Sequence, residues 1–229
     1  MNEAADTFLT PEIAFNTALA ARLRSGPDVD VQLGGSLYAV PPSHRAAVAH
    51  ALAEQSIWVH ADVFADGRTG VSVELIEPLA DEGVGQLDIH LLTAGALDAL
   101  DAVCRPGIAR VTFPFEDVPS PEKVAATIRA AGARPWLAIS PTTTLDECAE
   151  VLPHVDGLLV MLLQPGTSGC SDPAMLAKVN RASASTPVGV DGGVGESNIA
   201  DVLAAGATYI VIGRRLFALA GSAADEVRP

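Results

Sequence analysis

The sequence predicts a (β/α)8 TIM barrel, and three observations lead to this fold class. Short apolar runs rich in β-branched residues alternate with Ala-rich amphipathic segments, a pattern typical of parallel strands joined by helical crossovers. Eight such units recur at a spacing of about 25 residues, which matches the repeat of this barrel. The 229 residues, of which 49% are hydrophobic and 18% charged, are enough for a single large core.

The predicted elements follow the chain as strand and helix in turn. The strands are predicted over residues 31–38, 57–63, 86–92, 108–113, 135–139, 156–162, 187–190 and 208–212. The helices are predicted over residues 43–55, 71–81, 95–104, 120–131, 144–152, 172–183 and 196–205, with a short one after 214. The helix over 120–131 has clear end signals, because Ser120 is a favoured N-cap residue, Pro121 suits the first turn and Gly132 stops the helix.

The chain is predicted to consist of one barrel domain, residues 29–229, preceded by an N-terminal extension. The extension covers residues 1–28 and contains a candidate helix over 11–24, with SGPD as a link. An open doubly wound sheet is the alternative fold. That fold would normally show a Gly-rich turn after its first strand, and LGGSLY at 33–38 lacks the fingerprint.

The charge balance argues against two classes of partner. Acidic residues outnumber Lys plus Arg by 28 to 14, for a net charge of −14. Nucleic acids and anionic membranes both attract basic surfaces, so neither is expected as a partner. A small anionic substrate is compatible with this charge, because a few local donors can hold it.

The cysteines and the N-terminus predict a cytoplasmic protein. Cys104, Cys148 and Cys170 are scattered and odd in number, as expected of reduced thiols. The opening MNEAADTFLT lacks the basic and apolar regions of a signal peptide. Apolar runs such as GLLVMLL are too short to span a bilayer.

Polar side chains stand at the C-terminal ends of several predicted strands, where this barrel places its chemistry. They are Ser36 on the first strand, His60 and Asp62 on the second, Asp88 and His90 on the third, and Asp191 on the seventh. Residues two apart on a strand share a face, so His60 and Asp62 in WVHADVFADG point the same way.

Two imidazoles and two carboxylates meeting at one rim suit a divalent transition metal such as Zn²⁺, Mn²⁺ or Fe²⁺. The alternative for His60, Asp62, His90 and Asp191 is a hydrogen-bonded core network without metal. A lone His beside an apolar run is more often such a core residue. The convergence of all four at one rim favours the metal. Trp58 and Trp136 are expected to pack between the barrel and its helices.

Several segments resemble, in order, the signature segments of the ribulose-phosphate 3-epimerases. They are SLYA, WVHADVFADG, LDIHLL, ISPTTTL, MLLQPGTSG and VGVDGGVGESNIADVLAAGATYIVIG. The resemblance runs from residue 30 to residue 217, and its most specific parts are H-x-D, D-x-H-L and V-D-G-G. It implies a (β/α)8 barrel that is usually oligomeric, so a homo-oligomer is expected.

The resemblance also implies the roles of the residues at the rim. His60, Asp62, His90 and Asp191 would hold one divalent metal ion. Asp62 and Asp191 would also be the two acid/base groups. Ser36 would hydrogen-bond near the reacting end of the substrate. Met161 matches one of three methionines that the family packs against its intermediate; the other two positions hold Phe64 and Leu92.

Phosphate binding is the second implication of the resemblance, and it falls on loops after the last three barrel strands. Backbone N–H groups of such loops hold phosphate in this family. The matching residues here are Gly166, Gly169, Gly192, Gly193 and Gly213, and Arg214 replaces the usual Ser with a side chain that could bind phosphate with two donors.

Other departures from the family pattern surround the substrate. Pro114 replaces a His, Ser140 replaces an Asn, and Thr167 and Cys170 replace an aromatic residue and a Gln. Because the metal and acid/base set is intact, the resemblance implies retained chemistry, either on a pentulose phosphate or on a different or modified sugar.

The predicted reaction is inversion of C3 of a ketose phosphate, of the ribulose 5-phosphate and xylulose 5-phosphate type. One carboxylate removes a proton, the other returns one to the opposite face, and a metal stabilises the enediolate between the steps. A non-catalytic, metal-retaining binding barrel is a second alternative. A Schiff-base aldolase is disfavoured, because Lys123 and Lys178 are both on predicted helices.

Overall fold

The computed structural model describes residues 7–10, 13–16, 19–20, 23, 31–65, 69–164 and 172–219. Its strands are β1 (Thr7–Thr10), β2 (Ile13–Phe15), β3 (Gln32–Ser36), β4 (Trp58–Val63), β5 (Leu87–Leu91), β6 (Ile108–Pro114), β7 (Arg134–Ile139), β8 (Gly157–Met161), β9 (Val188–Asp191), β10 (Tyr209–Ile212) and β11 (Phe217–Leu219).

Eight parallel strands close into a barrel in the order β10-β3-β4-β5-β6-β7-β8-β9. The barrel closes because β10 pairs with β3, through Tyr209 beside Gln32 and Ile212 beside Gly35. This closure confirms the (β/α)8 prediction and all eight predicted strands, and it shows that the open-sheet alternative is wrong.

Helices connect the barrel strands and cover their outer face. They are α1 (Arg45–Glu54), α2 (Val73–Asp81), α3 (Leu100–Val103), α4 (Pro121–Ala130), α5 (Met175–Ser183) and α6 (Ile199–Ala204), with 3-10 turns at Leu37–Ala39, Pro42–His44, Ala94–Ala99 and Leu152–His154. As predicted, α4 follows Ser120 and begins at Pro121.

Two predicted helices are wrong. Residues 144–152 form successive turns, with backbone bonds from Val151 N to Cys148 O and from His154 N to Val151 O. These i to i+3 bonds make 3-10 turns, which tolerate Pro153 better than a continuing α-helix does. After residue 214 the chain turns and forms the strand β11.

The strands outside the barrel join the two ends of the described chain. β1, β2 and β11 form an antiparallel three-stranded sheet, in which Phe217 pairs with Phe15. Residues 13–15, predicted as part of a helix over 11–24, are therefore a strand, while residues 19, 20 and 23 are helical. The division of the chain at residue 28 stays a prediction.

Alternation along each barrel strand separates two apolar regions. On β4, Val59, Ala61 and Val63 point outward into the core beneath the helices. Trp58 lies on the opposite face, in a cluster inside the barrel that also contains Trp136. The expectation that both tryptophans pack between barrel and helices is therefore wrong.

The helices of the described part of the chain are short. None combines the length and the apolar character that a membrane-spanning helix needs.

Candidate active site

Strand register brings the four predicted metal ligands to one end of the barrel. Asp62 on β4 lies directly beside His90 on β5, and Asp191 ends β9 beside Met161 on β8. One ligand atom from each of His60, Asp62, His90 and Asp191 lies within 4.8 Å of the other three. The structure thus brings together residues 131 positions apart in the chain (60 to 191).

Short distances join the imidazoles to the carboxylates. His60 Nε2 lies 3.1 Å from Asp62 Oδ1, and His90 Nδ1 lies 3.3 Å from the same oxygen. Asp191 Oδ2 is 3.8 Å from His60 Nε2 and 3.7 Å from His90 Nδ1. All four donors therefore surround one small volume.

Burial and mutual attraction shift the pKa of each group in this volume. Burial alone favours neutral imidazoles, but the Asp62 carboxylate raises the pKa of His60 well above its usual value. The neighbouring Asp191 and Asp62 carboxylates likewise outweigh burial and raise the pKa of His90. The two imidazoles, with His60 the larger influence, outweigh burial and lower the pKa of Asp62 far below its ordinary range.

Asp88 orients His60 through Nδ1, the ring nitrogen that does not face Asp62. Its Oδ2 accepts a hydrogen bond of 2.8 Å from His60 Nδ1 and one of 2.7 Å from the Tyr209 hydroxyl, and its Oδ1 accepts one of 3.2 Å from Thr112. A carboxylate can only accept, so Nδ1 of His60 carries the proton and Nε2 faces the cluster. Burial would raise the pKa of Asp88, but Arg110 and the bonds from His60 and Tyr209 lower it to about 2.

The donor set fits a divalent metal ion. Two ligand atoms about 2.1 Å from one ion lie roughly 3.0 to 3.4 Å apart, depending on coordination geometry. The observed separations of 3.1 and 3.3 Å at Asp62 match this spacing. Nδ1 of His90 is buried without a hydrogen-bond partner among the described residues, as expected of an atom whose partner is a metal.

Ser36 lies beside the cluster, next to Asp62. Its hydroxyl donates a hydrogen bond of 2.9 Å to Asp62 Oδ2. This contact leaves Asp62 Oδ1 facing the imidazoles. One oxygen of the carboxylate is thus held by the protein, and the other faces the cluster.

Apolar side chains form the wall beside the cluster. Met161 and Leu92 are 5% and 6% exposed inside the barrel, and Phe64 packs against the same group. The Phe64 ring also lies 5.6 Å from that of Tyr38, which is 46% exposed. The two substituted methionine positions therefore still hold apolar side chains at the rim.

The predicted phosphate residues are only partly described. Gly166, Gly169, Thr167 and Cys170 lie outside the described residues. Gly192 and Gly193 follow β9 with φ of 110° and 66°, a conformation that favours glycine. Gly213 follows β10, and Arg214 is exposed in the next turn.

Two further departures lie at the ends of neighbouring strands, Pro114 at the end of β6 and Ser140 directly after β7. Pro114 ends β6 and pairs with Ala138 on β7. Ser140 donates its backbone N–H to Glu116 Oε1 at 2.9 Å, and its hydroxyl bonds Thr143. Both substitutions therefore sit in the packed rim of the barrel.

The two lysines both lie on helices, as predicted: Lys123 on α4 and Lys178 on α5. The Lys178 ammonium donates to three backbone carbonyls, with its shortest bond of 2.6 Å to Thr143 O. Neither lysine is on a barrel strand, which agrees with the sequence-based argument against a Schiff-base aldolase.

Sequence reasoning missed the layer beneath the cluster, which contains Arg110 and Tyr209. Both side chains are buried inside the barrel, and Arg110 is the cross-strand partner of Asp88. A signal was present: an Arg in the middle of the strand IARVTF, with Thr112 on the same face, requires a buried partner.

Comparisons with known proteins agree with the geometry. The model of the ribulose-phosphate 3 epimerase family matches residues 33–217. A ribulose-phosphate 3-epimerase of Mycobacterium tuberculosis is 31% identical over 202 residues, covering 80% of this chain and 87% of that protein. That of Eremothecium gossypii is 30% identical over 182 residues, covering 71% and 76%.

Solved structures share the architecture at low identity. 3-Hexulose-6-phosphate synthase superposes with a TM-score of 0.60 at 17% identity, covering 80% of this chain and 90% of that chain. KGPDC from Streptococcus mutans gives a TM-score of 0.63 at 15% identity, covering 80% and 88%. These two likenesses show the fold alone. The family model and the sequence relatives go further: the chain belongs to the ribulose-phosphate 3-epimerase family, whose members are isomerases that act on carbohydrates.

Proposed function

We propose that the protein is a metal-dependent epimerase that inverts C3 of a ketose phosphate of the ribulose 5-phosphate and xylulose 5-phosphate type. The observation that carries this proposal is the convergence of His60, Asp62, His90 and Asp191 within 4.8 Å, in a chain that matches the family model over 33–217. The names of the sequence relatives support the substrate class.

Asp62 and Asp191 are the proposed acid/base pair. They project from β4 and β9, strands separated by two others in the barrel order, so a substrate carbon can lie between them. One carboxylate removes the C3 proton, and the protonated partner returns a proton to the opposite face. In the reverse direction the two residues exchange roles.

His60, His90 and the two aspartates would hold the metal ion. When bound, a divalent ion supplies positive charge that stabilises the negative charge developing on the substrate oxygens. Asp88 keeps the proton of His60 on Nδ1, and Ser36 fixes Asp62 Oδ2. The apolar wall of Met161 and Leu92 excludes water from the carbanion-like carbon.

The phosphate is proposed to bind at the loops after β9 and β10. Gly192, Gly193 and Gly213 would offer backbone N–H groups, and Arg214 would add a charged, bidentate donor. Gly166 and Gly169 would complete this site. These loops belong to the region where barrel enzymes usually hold phosphate.

A second candidate is an epimerase for a different or modified sugar. Phe64, Leu92 and Arg214 favour it, because each replaces a residue that the family pattern places near the substrate. A non-catalytic barrel is a weaker alternative, since a binding protein has no need for two carboxylates at one centre. A homo-oligomer and a cytoplasmic location stay predictions.

The deciding experiment is solvent proton exchange in D₂O followed by NMR. The purified protein, with Zn²⁺, Mn²⁺ or Fe²⁺ added, is incubated with ribulose 5-phosphate and a panel of ketoses and their phosphates. Deuterium should enter C3 as the epimer forms. Asp62→Asn and Asp191→Asn should each lower the exchange rate by at least about 10³-fold with the fold intact.

An exposed carboxylate provides the matched control. Asp98→Asn lies on the surface and should leave exchange unchanged. Exchange into a different sugar of the panel would favour the second candidate. Tight metal binding without exchange on any sugar would leave a binding barrel, and absence of metal binding would make the cluster a core network.

A further inference from the structure

The guanidinium of Arg110 is enclosed by three aromatic rings inside the barrel. We call this layer of Arg110, Trp58, Trp136 and Tyr209, which lies beneath the metal cluster, the floor of the barrel. Its Cζ lies 4.1 Å from the ring centroid of Trp58, 3.9 Å from that of Trp136 and 4.1 Å from that of Tyr209. The side chain is 0% exposed. Three rings at this distance make cation–π contacts on a desolvated cation, where such contacts are strongest.

The hydrogen bonds of this guanidinium are sparse. Nη2 donates to Gln32 Oε1 at 3.2 Å, whereas Nε and Nη1 are buried without a hydrogen-bond partner among the described residues. Nη1 lies 3.7 Å from Asp88 Oδ2. The charged partner of Arg110 is therefore Asp88, through a contact longer than a hydrogen bond.

A buried ion pair such as that of Arg110 and Asp88 is weak evidence for a role in stability alone. Removing a charge from water costs several kcal/mol, and well-packed apolar residues often stabilise a core as well as a buried ion pair does. The three rings around Arg110 could pack against an apolar side chain instead. The positive charge therefore points to a role other than packing, and its contact with Asp88 indicates that role.

Asp88 connects the caged guanidinium to the metal cluster. The oxygen that faces Arg110 is Oδ2, the same atom that accepts the bond of 2.8 Å from His60 Nδ1. The other nitrogen of that imidazole faces Asp62 at 3.1 Å. Arg110, Asp88, His60 and Asp62 thus form a column of alternating partners from the floor of the barrel to its mouth.

The column also separates the carboxylates by their neighbours. Asp88 lies 3.7 Å from the Arg110 guanidinium, whereas Asp62 and Asp191 share the cluster with His60 and His90. Without Arg110, the unpaired charge would fall on Asp88, which lies directly beneath His60.

We propose that Arg110 is a positioning residue of the metal centre. Its guanidinium holds the Asp88 carboxylate in position, and that carboxylate fixes the ring orientation and the tautomer of His60. The rings of Trp58, Trp136 and Tyr209 hold the guanidinium in place. Groups that orient a metal-bound His typically change metal affinity by about 10- to 100-fold. This inference depends on the metal site of the proposed function.

The test is metal affinity, measured by calorimetry on metal-free protein titrated with Zn²⁺ or Mn²⁺. Arg110→Met and Arg110→Gln remove the charge and should weaken binding by about 10- to 100-fold. Arg110→Lys retains the charge and should recover most of the affinity. In the zinc-bound protein, the ¹⁵N shifts of the His60 ring should change in Arg110→Gln and be restored in Arg110→Lys.

Val111→Ala is the matched control for loss of stability. Val111 is the next residue on the same strand, and it is fully buried on the face toward the helices. Its truncation should lower the melting temperature while leaving metal affinity within about threefold of the wild type, because the column is untouched.

The outcomes separate this inference from the proposed function. Wild-type affinity in Arg110→Gln, or an equal loss in Val111→Ala, would overturn the positioning role and leave the metal site standing. If neither Arg110→Met nor Arg110→Gln folds, the test rests on Arg110→Lys. Near-wild-type metal affinity in that variant supports the inference, and loss of metal affinity in it overturns the inference. A wild-type protein that binds none of the ions would overturn the metal site and this inference together.

Discussion

The Ser36 hydroxyl lies 2.9 Å from Oδ2 of Asp62, so the two oxygens of this carboxylate have different partners. Oδ1 faces both imidazoles at 3.1 and 3.3 Å, and Oδ2 faces the serine. The two residues come from neighbouring strands, where Ser36 pairs with His60. The orientation of the proposed base is thus set before any ligand binds.

Ser36→Ala should slow epimerisation more than it destabilises the fold. Loss of one hydrogen bond to a charged group removes about 1.5 to 3 kcal/mol of the free energy that holds Asp62 in its orientation. If this loss raises the activation free energy equally, kcat decreases by about 10- to 100-fold. The melting temperature should shift by only a few degrees, because alanine leaves no large cavity. Ser43→Ala, at an exposed position, is the control; equal kcat values in the two variants would contradict the role of Ser36.

Asp88→Asn should remove part of the acid sensitivity of the protein. The pKa of Asp88 is lowered to about 2 in the folded protein, whereas an unfolded Asp titrates near about 3.9. Its ionisation therefore stabilises the fold fully above about pH 4, and this contribution of roughly 2 to 3 kcal/mol is lost as the pH falls towards 2.

The measurement is the free energy of unfolding in urea between pH 5 and pH 2. The wild-type free energy should fall more steeply than that of Asp88→Asn over this interval, whatever the offset between them at pH 5. Asp98→Asn, which changes an exposed carboxylate, should keep the wild-type slope. Parallel curves for wild type and Asp88→Asn would contradict the prediction.

Gly157→Ala should destabilise the barrel floor. Gly157 is the cross-strand neighbour of Trp136, and a Cβ at this position would overlap Cε2 of that indole. Overpacking of this kind costs about 1 to 3 kcal/mol. Gly195→Ala, whose Cβ would lie 3.1 Å from the flexible Arg215 side chain, should cost less.

A double-mutant cycle tests this explanation by chemical denaturation. Trp136→Leu removes the indole, so Gly157→Ala should cost markedly less in that background than in the wild type. Equal costs in the two backgrounds would show that the indole is not the cause.

Arg214→Ala should weaken the binding of the phosphorylated substrate without slowing the chemistry. A charged hydrogen bond contributes about 1.5 to 3 kcal/mol, so KM should rise by about 10- to 100-fold while kcat changes little. Arg215→Ala removes the neighbouring exposed cation and should leave KM near the wild-type value. The same rise in KM for both variants would indicate general charge attraction instead of a specific contact.

Much of this molecule was predictable because the barrel repeats a simple pattern. The eight apolar runs marked the strands, and the two-residue spacing of His60 and Asp62 placed both on one face. The same reasoning applies to Asp88 and His90 on β5. Since the ends of parallel strands meet at one rim, the cluster followed from these spacings and from Asp191.

The floor of the barrel was missed because large aromatic side chains were assigned by type alone. Trp58 lies two residues before His60, so the same alternation puts it inside the barrel. The space for Trp136 depends on Gly157 and Gly189, and the space for Tyr209 depends on Gly34 and Gly189; these glycines are distant in sequence and meet only after closure. The prediction of a helix over 144–152 was wrong for a local reason. The segment has an amphipathic pattern, but it forms turns with i to i+3 backbone bonds.

The glycines and aromatic rings of the floor also constrain the order in which this interior can have evolved. A Trp at 136 destabilises the barrel unless residue 157 is already glycine, since the indole and any Cβ there would overlap. The reverse order costs only an unfilled cavity. Ancestral reconstruction should therefore place small residues on β8 and β9 before the tryptophan on β7, and grafting that tryptophan alone into a relative with larger residues there should fail.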